Sequence, residues 1–331
     1  MSKPVPLVEI WRGPVIECLH VGHAVICDDT GQIIEAWGDP QAQIYPRSSA
    51  KMLQALPMVE SGAAAAFGLS TERLALSCAS HNAAAIHTDR VQAWLRDLGL
   101  SDDDFRCGPQ EPEDIAARDA LIRAGQKPCQ YHNNCSGKHS GFLTLNRHLK
   151  GGPDYVDPDH PVQRACLATF EEVTGETSPG YGIDGCSAPN FLISLHGMAR
   201  AMAFFASAQD GKDARHSAAV ALRQAMMAHP DLVAGEGRAC TNLMRACSEP
   251  VALKTGAEGF FVAILPTRKL GVALKITDGA SRASECAIAA LLIRLGTLDP
   301  AHPTAQLYVD APIRNRRNIV CGAIKPVDAL R

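Results

Sequence analysis

The sequence predicts an α+β fold, in which an antiparallel sheet built from N- and C-terminal strands packs against a mainly helical region. Near the N-terminus, two β-rich segments flank a turn-forming stretch at residues 29–31, which is typical of a hairpin. Segments 259–265 and 271–276 repeat this pattern. Between the hairpins, apolar residues recur at three- and four-residue spacing, as they do in helices. Both hairpins can share one sheet only if the chain leaves it, forms a helical region and returns.

Each element follows from its own pattern. The first hairpin occupies residues 21–37 and precedes helices predicted at Ser48–Glu60, Arg90–Asp97, Glu113–Ala124, Val162–Thr174, Asn190–Ser207 and His216–Ala228. After the second hairpin, a last apolar helix is predicted at Ser281–Leu295. Segments 131–142 and 182–189, rich in small and polar residues, are predicted as loops that shape a site. We therefore expect a single catalytic unit spanning residues 1–331, with a sheet part at 1–45 and 250–331 and a mainly helical part at 46–249.

Composition narrows the class of function. The 331 residues carry a net charge of -3 and are 46% hydrophobic, so the chain can bury a large core and has no basic field for nucleic acid or anionic lipid. No apolar stretch approaches the length of a membrane span or a secretory signal, which predicts a cytoplasmic protein. The twelve cysteines are scattered along the chain and are expected to be mostly reduced core residues. A small-molecule substrate is the expected partner.

A candidate nucleophile stands at the start of the first predicted helix. Arg47 precedes Ser48, and Lys51 follows within one helical turn, on the same helix face as the serine. A serine becomes nucleophilic when a base takes its proton, and a lysine can be that base if burial or nearby cations depress its pKa. Ser-x-x-Lys also occurs by chance on solvated helix faces, so this motif alone assigns no function.

Two further motifs complete a known order. Ser-His-Asn occupies residues 80–82, and Lys-Thr-Gly occupies residues 254–256, directly before the second hairpin. Serine enzymes of the penicillin-recognising type carry Ser-x-x-Lys, Ser-x-Asn and Lys-Thr-Gly in this order. All three motifs in sequence favour acyl transfer by a serine.

The reaction suggests a role for each group. Ser48 would be the nucleophile and Lys51 its base. Ser80 and Lys254 would form a second hydroxyl–amine pair, which relays a proton to ammonia or activates the deacylating water. Arg47 or a backbone amide would hold the substrate carboxylate or the oxyanion.

Potential metal ligands are concentrated in the two predicted loops. Thiolates and imidazoles bind zinc, and the candidate set is Cys135 and Cys186 with one or two of His132, His139 and Lys138. Lysine is a rare ligand because it must lose its proton. A polar loop without metal explains the same residues.

Two side chains outside these sets are candidates for binding the substrate. Asp184 stands between two glycines, where a carboxylate can grip an ammonium group or orient a lysine, although aspartate is also common in turns. Asn82 closes the Ser-His-Asn motif and is expected to contact the substrate.

Five segments together resemble the Rhizobium etli type of L-asparaginase, and the resemblance extends over nearly the whole chain. They are residues 47–51, 80–82, 132–139, 182–186 and 254–259, of which Asn-Asn-Cys-Ser-Gly-Lys-His at 133–139 is the most specific. The resemblance implies a fold similar to serine β-lactamases and serine-dependent glutaminases, hydrolysis of L-asparagine to L-aspartate and ammonia, and a homodimer.

The resemblance also implies roles for single residues. Ser48 with Lys51 and Ser80 with Lys254 would be the two catalytic pairs. Zinc would be held by Cys135, Lys138 and Cys186, beside the substrate. His139 and Asp184 would contact the substrate or support the ligands.

Three other functions remain open at this point. A β-lactam or cell-wall peptide amidohydrolase fits the short motifs equally well, although its substrates lie outside the cytoplasm. A serine-dependent glutaminase differs by one substrate methylene, which discriminates by only about 1–3 kcal/mol. A catalytically silent zinc-binding sensor would keep the cysteines without needing the serines.

Overall fold

The computed structural model describes residues 3–331, which form two compact units. The first unit comprises the described residues up to Ser49, together with Ile193–Ser207 and Asn242–Arg331. The second unit comprises Ala50–Leu192 and Ala208–Thr241. Segment 193–207, which lies in the middle of the chain, therefore belongs to the same unit as both terminal regions.

Strands and helices alternate along the chain. The strands are β1 Val5–Arg12, β2 Val15–Cys27, β3 Ile33–Trp37, β4 Gln43–Ile44, β5 Tyr181–Ile183, β6 Pro189–Phe191, β7 Ile193–Ser194, β8 Ala252–Thr255, β9 Phe260–Leu265, β10 Leu270–Ile276, β11 Ala311–Arg314 and β12 Val320–Pro326. The helices are α1 Lys51–Glu60, α2 Ala63–Ala66, α3 Thr71–Ser77, α4 Ala85–Asp97, α5 Ile115–Arg123, α6 Ser136–Leu149, α7 Pro161–Thr174, α8 Leu195–Ser207, α9 Ala214–Ala228, α10 Pro230–Val233, α11 Ala239–Ala246 and α12 Ser281–Arg294.

An antiparallel sheet forms the frame of the first unit. Its strand order is β11-β12-β1-β2-β10-β9-β8, with β3 paired to β2. Strand β10 joins the two ends of the chain, because it pairs with β2 on one side and β9 on the other. Helix α8 lies so close to β10 that a Cβ at Gly271 would stand 2.1 Å from the Ala203 nitrogen. The predicted α+β fold, with one antiparallel sheet drawn from both chain ends and both predicted hairpins, is confirmed.

Helices form the core of the second unit. Helix α1 packs against α7, α9 and α6, and its side chains from Lys51 to Met58 are all buried. Most of these side chains are apolar, and their burial stabilises the helix despite Pro57 in its last turns. Lys51, at the first position of α1, is only 1% exposed. The helix therefore places an amine inside an apolar core.

Two predicted elements were wrong in part. Segment 131–142 is not a loop throughout, since α6 begins at Ser136. Glycines argue against a helix from sequence, but here they allow close packing, because a Cβ at Gly137 would lie 2.3 Å from the Leu76 carbonyl oxygen of α3. The helix predicted from Asn190 begins only at Leu195, because the preceding residues form β6 and β7.

Candidate active site

The second unit holds a buried amine–hydroxyl pair. Lys51 Nζ donates hydrogen bonds to Ser80 Oγ at 2.9 Å and to the Ala79 carbonyl oxygen at 2.5 Å. Ser80 is 6% exposed and lies in the turn that follows α3. The Lys51 amine thus has hydrogen-bond acceptors on two sides, one of which is the Ser80 hydroxyl.

Backbone contacts fix the turn that carries Ser80. The Ser80 amide donates to the Val233 carbonyl at 2.9 Å. Asn82 Oδ1 accepts from the Ala84 amide at 3.2 Å. The Asn82 side chain also rests against Gly235, where a Cβ would lie 2.6 Å from it and where φ is +117°. Gly235 was not identified from the sequence, although the nearby Gly-x-Gly pattern was a possible signal.

In the first unit, Ser49 supports the strand that carries Lys254. Ser49 Oγ donates to the Lys254 carbonyl at 3.0 Å, and both residues are fully buried. Gly256 makes this approach possible, because a Cβ there would lie 2.7 Å from the Pro46 carbonyl oxygen. Lys254 Nζ donates to the Thr255 carbonyl at 2.7 Å. The Lys-Thr-Gly strand is thus attached to the segment that contains the candidate nucleophile.

Ser48 lies in a short 3₁₀ turn, Arg47–Ala50, which leads into α1. Its side chain is half-buried. Arg47 has φ of +51°, a left-handed conformation that is unusual for a residue with a side chain. The Arg47 guanidinium lies 4.0 Å from the Glu258 carboxylate. Backbone strain of this kind is often found at functional sites.

Three further candidates form a buried cluster in the second unit. Lys138 Nζ donates to Cys186 Sγ at 3.0 Å. Cys135 Sγ donates to Asn134 Oδ1 at 3.0 Å and lies close enough to Cys186 for each thiol to shift the pKa of the other. Each of the three side chains is 3% exposed. Asp184 is half-buried beside them, with Oδ2 at 3.8 Å from Cys186 Sγ. The structure therefore brings together the three residues that the sequence resemblance assigned to zinc.

His139 follows Lys138 and is fully buried. Tyr155 OH accepts from the Arg106 amide at 2.9 Å and lies 2.8 Å from His139 Nδ1. If the tyrosine hydroxyl donates to Nδ1, the ring proton resides on Nε2. His139 Nε2 has no hydrogen-bond partner within the described chain. Tyr155 was not identified from the sequence, because it lies in an irregular segment without a motif.

A family model that matches almost the whole chain identifies the protein family. The model of the family described as L-asparaginase II matches residues 8–326. The chain belongs to the L-asparaginase II family. No curated protein matches this asparaginase II family member significantly.

Solved structures similar to this L-asparaginase II family member are distant. Mglu in its tris and glutamate form is 13% identical, with 84% of this chain and 59% of that chain covered and a TM-score of 0.48. A class C β-lactamase from Rhodobacter sphaeroides is 14% identical, with 80% and 92% covered and a TM-score of 0.42. The chain thus covers less than two thirds of the Mglu chain in its tris and glutamate form.

In the cysteine cluster of this family member, Cys135, Lys138 and Cys186 shift one another's pKa values. The interaction with the Cys135 thiol holds the pKa of Cys186 well below its usual range, with help from the nearby Lys138 ammonium. The same interaction, together with burial, raises the pKa of Cys135. Burial alone would lower the pKa of Lys138, but the Cys186 and Cys135 sulfurs raise it. These shifts favour the thiol form of Cys135, the thiolate form of Cys186 and the protonated form of Lys138.

The donor set of this cluster fits a soft divalent cation, with lysine as the unusual member. Across residues 3–331, no three His, Cys, Asp or Glu side chains converge as a metal site. Two thiols and one amine do converge, and sulfur and nitrogen are the donors that zinc prefers. Binding would require the loss of the Cys135 and Lys138 protons. Among the described residues, no helix is both long enough and apolar enough to span a lipid bilayer.

Proposed function

We propose that this L-asparaginase II family member is an L-asparaginase, which hydrolyses L-asparagine to L-aspartate and ammonia. The observation that carries the proposal is the buried contact between Lys51 Nζ and Ser80 Oγ at 2.9 Å. Acyl transfer by a serine needs such an amine–hydroxyl pair to move protons. In the proposed asparaginase, this contact would let protons pass between Lys51 and Ser80 during hydrolysis of the side-chain amide.

In the proposed mechanism, Ser48 Oγ attacks the carbon of the side-chain amide and Lys51 accepts the serine proton. Ser80 and Lys254 deliver a proton to the leaving nitrogen, so that neutral ammonia departs. Water then attacks the acyl-enzyme and gives a proton to the Ser80–Lys254 pair, which replaces the proton lost to ammonia. Lys51 returns its proton to Ser48 Oγ as the ester bond breaks, and aspartate is released. Arg47 supplies a cation for the substrate carboxylate or the oxyanion.

Substrate specificity would come from groups that recognise the α-amino and α-carboxylate ends of asparagine. Asp184 supplies a half-buried carboxylate for the ammonium group. Buried His139 supplies an Nε2 atom that has no partner within the described chain, and Asn82 supplies an amide. A polar group that is buried without a partner costs free energy unless a ligand satisfies it.

We further propose that zinc is held by Cys135, Lys138 and Cys186. When bound, zinc supplies a fixed positive charge that organises the substrate. Because Lys138 must be neutral to bind it, zinc affinity should fall as pH decreases. Support comes from the burial of all three side chains and from the short Lys138–Cys186 contact.

The test is ammonia release from L-asparagine and L-glutamine by the purified protein, before and after treatment with a zinc chelator. We expect turnover of asparagine that weakens on chelation and recovers with added zinc. Stronger turnover of glutamine would make it a glutaminase, and rapid hydrolysis of a chromogenic cephalosporin would favour a β-lactam substrate. Zinc binding without ammonia release from either amide would favour the silent sensor.

The homodimer stays a prediction that rests on the family resemblance. Sedimentation equilibrium of the purified chain measures it directly. A mass of about twice 35.3 kDa is expected.

A further inference from the structure

His81 makes contacts that no role described so far requires. It follows Ser80 directly and is 1% exposed. Its ring stacks on His87, with ring centroids 4.9 Å apart and planes 10° from parallel. A buried imidazole needs partners for both nitrogens, and His81 has them.

The hydrogen bonds of His81 define its tautomer. Ser136 Oγ donates its single proton to the Tyr131 carbonyl at 3.0 Å. At the 2.9 Å contact between His81 Nε2 and Ser136 Oγ, the imidazole must therefore be the donor. The Ala83 amide donates to His81 Nδ1 at 3.2 Å. His81 is thus neutral, with its proton on Nε2.

The two ends of this histidine lie in different functional segments. Its backbone belongs to the turn that presents Ser80 to Lys51. Its Nε2 atom holds Ser136, which lies between Cys135 and Lys138 at the start of α6. The His81 amide also donates to the Asn134 carbonyl at 3.2 Å, so two hydrogen bonds join these segments.

The second ring nitrogen of His81, Nδ1, stabilises the turn that follows the histidine. Ala83 has φ of +63°, a conformation that costs about 1 kcal/mol or more in a residue with a side chain. The bond from the Ala83 amide to Nδ1 stabilises that turn. Loss of Nδ1 therefore affects only the turn at Ala83. Loss of Nε2 removes the hydrogen bond between this turn and the segment that carries Cys135 and Lys138.

We propose that His81 is a positioning residue that couples the Lys51–Ser80 pair to the metal-binding segment through Ser136. The inference rests on the proposed zinc site and reaction. Removing the Nε2–H donor should weaken zinc binding and turnover together, although the hydrogen bonds of His81 go to Ser136, Ala83 and Asn134 and not to a proposed metal ligand. Substitution of a residue that orients metal ligands typically lowers metal affinity or catalytic activity by about 10- to 100-fold.

Two substitutions separate the two nitrogens. In H81N, the short amide can replace Nδ1 but cannot reach Ser136, and in H81Q the longer amide nitrogen can replace Nε2. Zinc affinity is measured by competition with a chromophoric chelator, with Zn²⁺ alone as the probe, and kcat and KM are measured for asparagine. H81N should weaken zinc affinity and kcat about tenfold each, and H81Q should restore most of both.

Ser136 tests the same bond from its other end. S136A should match H81N, and the double variant should lose no more than either single variant, since both remove one interaction. Exposed His148 on α6 provides a control, as H148N should behave like wild type. Thermal unfolding is recorded for each variant, because a merely structural role would lower stability in H81N and H81Q alike without the split in zinc affinity.

The outcomes are distinguishable. If wild type binds zinc and hydrolyses asparagine but H81N and H81Q have equal zinc affinity, the coupling is refuted and the proposed function stands. If wild type neither binds zinc nor releases ammonia, the proposed function fails and the coupling fails with it. Affinity and kcat that fall in H81N and recover in H81Q support the coupling.

Discussion

At the scale of single residues, the candidate site depends on charged groups held in an apolar interior. Lys51 and Lys254 are both almost fully buried, and a buried amine is stable only if its N–H groups are hydrogen-bonded. Backbone carbonyls meet this need for both lysines. A carbonyl satisfies an N–H donor without placing a further charge in the apolar interior.

The nucleophile assignment can be tested by S48A. Removing the hydroxyl should lower asparagine turnover by more than about a hundredfold, since no acyl-enzyme can form. The melting temperature should change little, because Ser48 is half-buried and loses one small polar group. Exposed Ser61, at the end of α1, gives the matched control S61A, which should keep wild-type turnover. S48A activity above a hundredth of wild type would reject this nucleophile.

The sequence predicts some of these residues better than others. Ser48 and Lys51 stand at a spacing that any helix brings onto one face. Spacing alone left Lys138 level with two histidines as a metal ligand, and only the family resemblance selected it. His81 was known as part of a motif, but its bond to Ser136 joins residues 55 positions apart. Contacts at that distance depend on the packing of α6, whose first half was predicted as part of a loop.

At the scale of elements, the contact between α3 and α6 determines where the cysteine segment lies. Gly137 lies against the Leu76 carbonyl, and Gly141 lies against Ser77. Small residues let two helices approach closely, at a cost in helix propensity of up to about 1 kcal/mol each. This tertiary requirement explains why local patterns failed in this segment, whereas the two hairpins, which depend on adjacent strands, were predicted correctly.

A single methyl group tests this packing. In G137A the new Cβ would stand 2.3 Å from the Leu76 carbonyl oxygen, so α6 must shift. We expect a loss of about 1–3 kcal/mol in the free energy of unfolding, measured by urea denaturation, and weaker zinc binding because Lys138 is adjacent. A Cβ at Gly152 would have no neighbour within 4 Å, and G152A should be nearly neutral. Equal stabilities of the two variants would contradict the close approach.

At the scale of the whole molecule, zinc binding should contribute to stability. A ligand that binds only the folded state stabilises it by RT ln(1 + [L]/Kd), or about 2.7 kcal/mol at a hundredfold excess over Kd. Chelation should therefore lower the melting temperature of wild type. In C186S, which lacks one thiolate, chelation should change the melting temperature much less. Calorimetric scans with and without chelator measure both, and an unchanged wild-type melting temperature would argue against a zinc site.

Buried histidines should make the metal-free protein sensitive to acid. Burial, reinforced by the neighbouring His87 and Lys51, holds the pKa of His81 well below its usual 6.5. Burial also lowers the pKa of His87, despite the opposing effect of its bond to the Asp231 carbonyl. Below about pH 6.5 these two histidines bind protons in the unfolded chain but remain neutral in the folded protein. The free energy of unfolding therefore decreases as pH falls below that value and is fully present above it.

The size of this effect follows from the number of protons. Each such histidine contributes a slope of about 1.4 kcal/mol per pH unit between its unfolded and folded pKa values. In chelated protein, the free energy of unfolding from urea denaturation should decrease as pH falls below about 6.5, and H87Q should reduce the slope of this decrease by up to one proton. The glutamine can still donate to the Asp231 carbonyl, as His87 Nε2 does at 2.9 Å, so the fold is kept while the titrating group is removed. Identical slopes in wild type and H87Q would mean that His87 is protonated in the folded state, and that the stacked pair is not neutral.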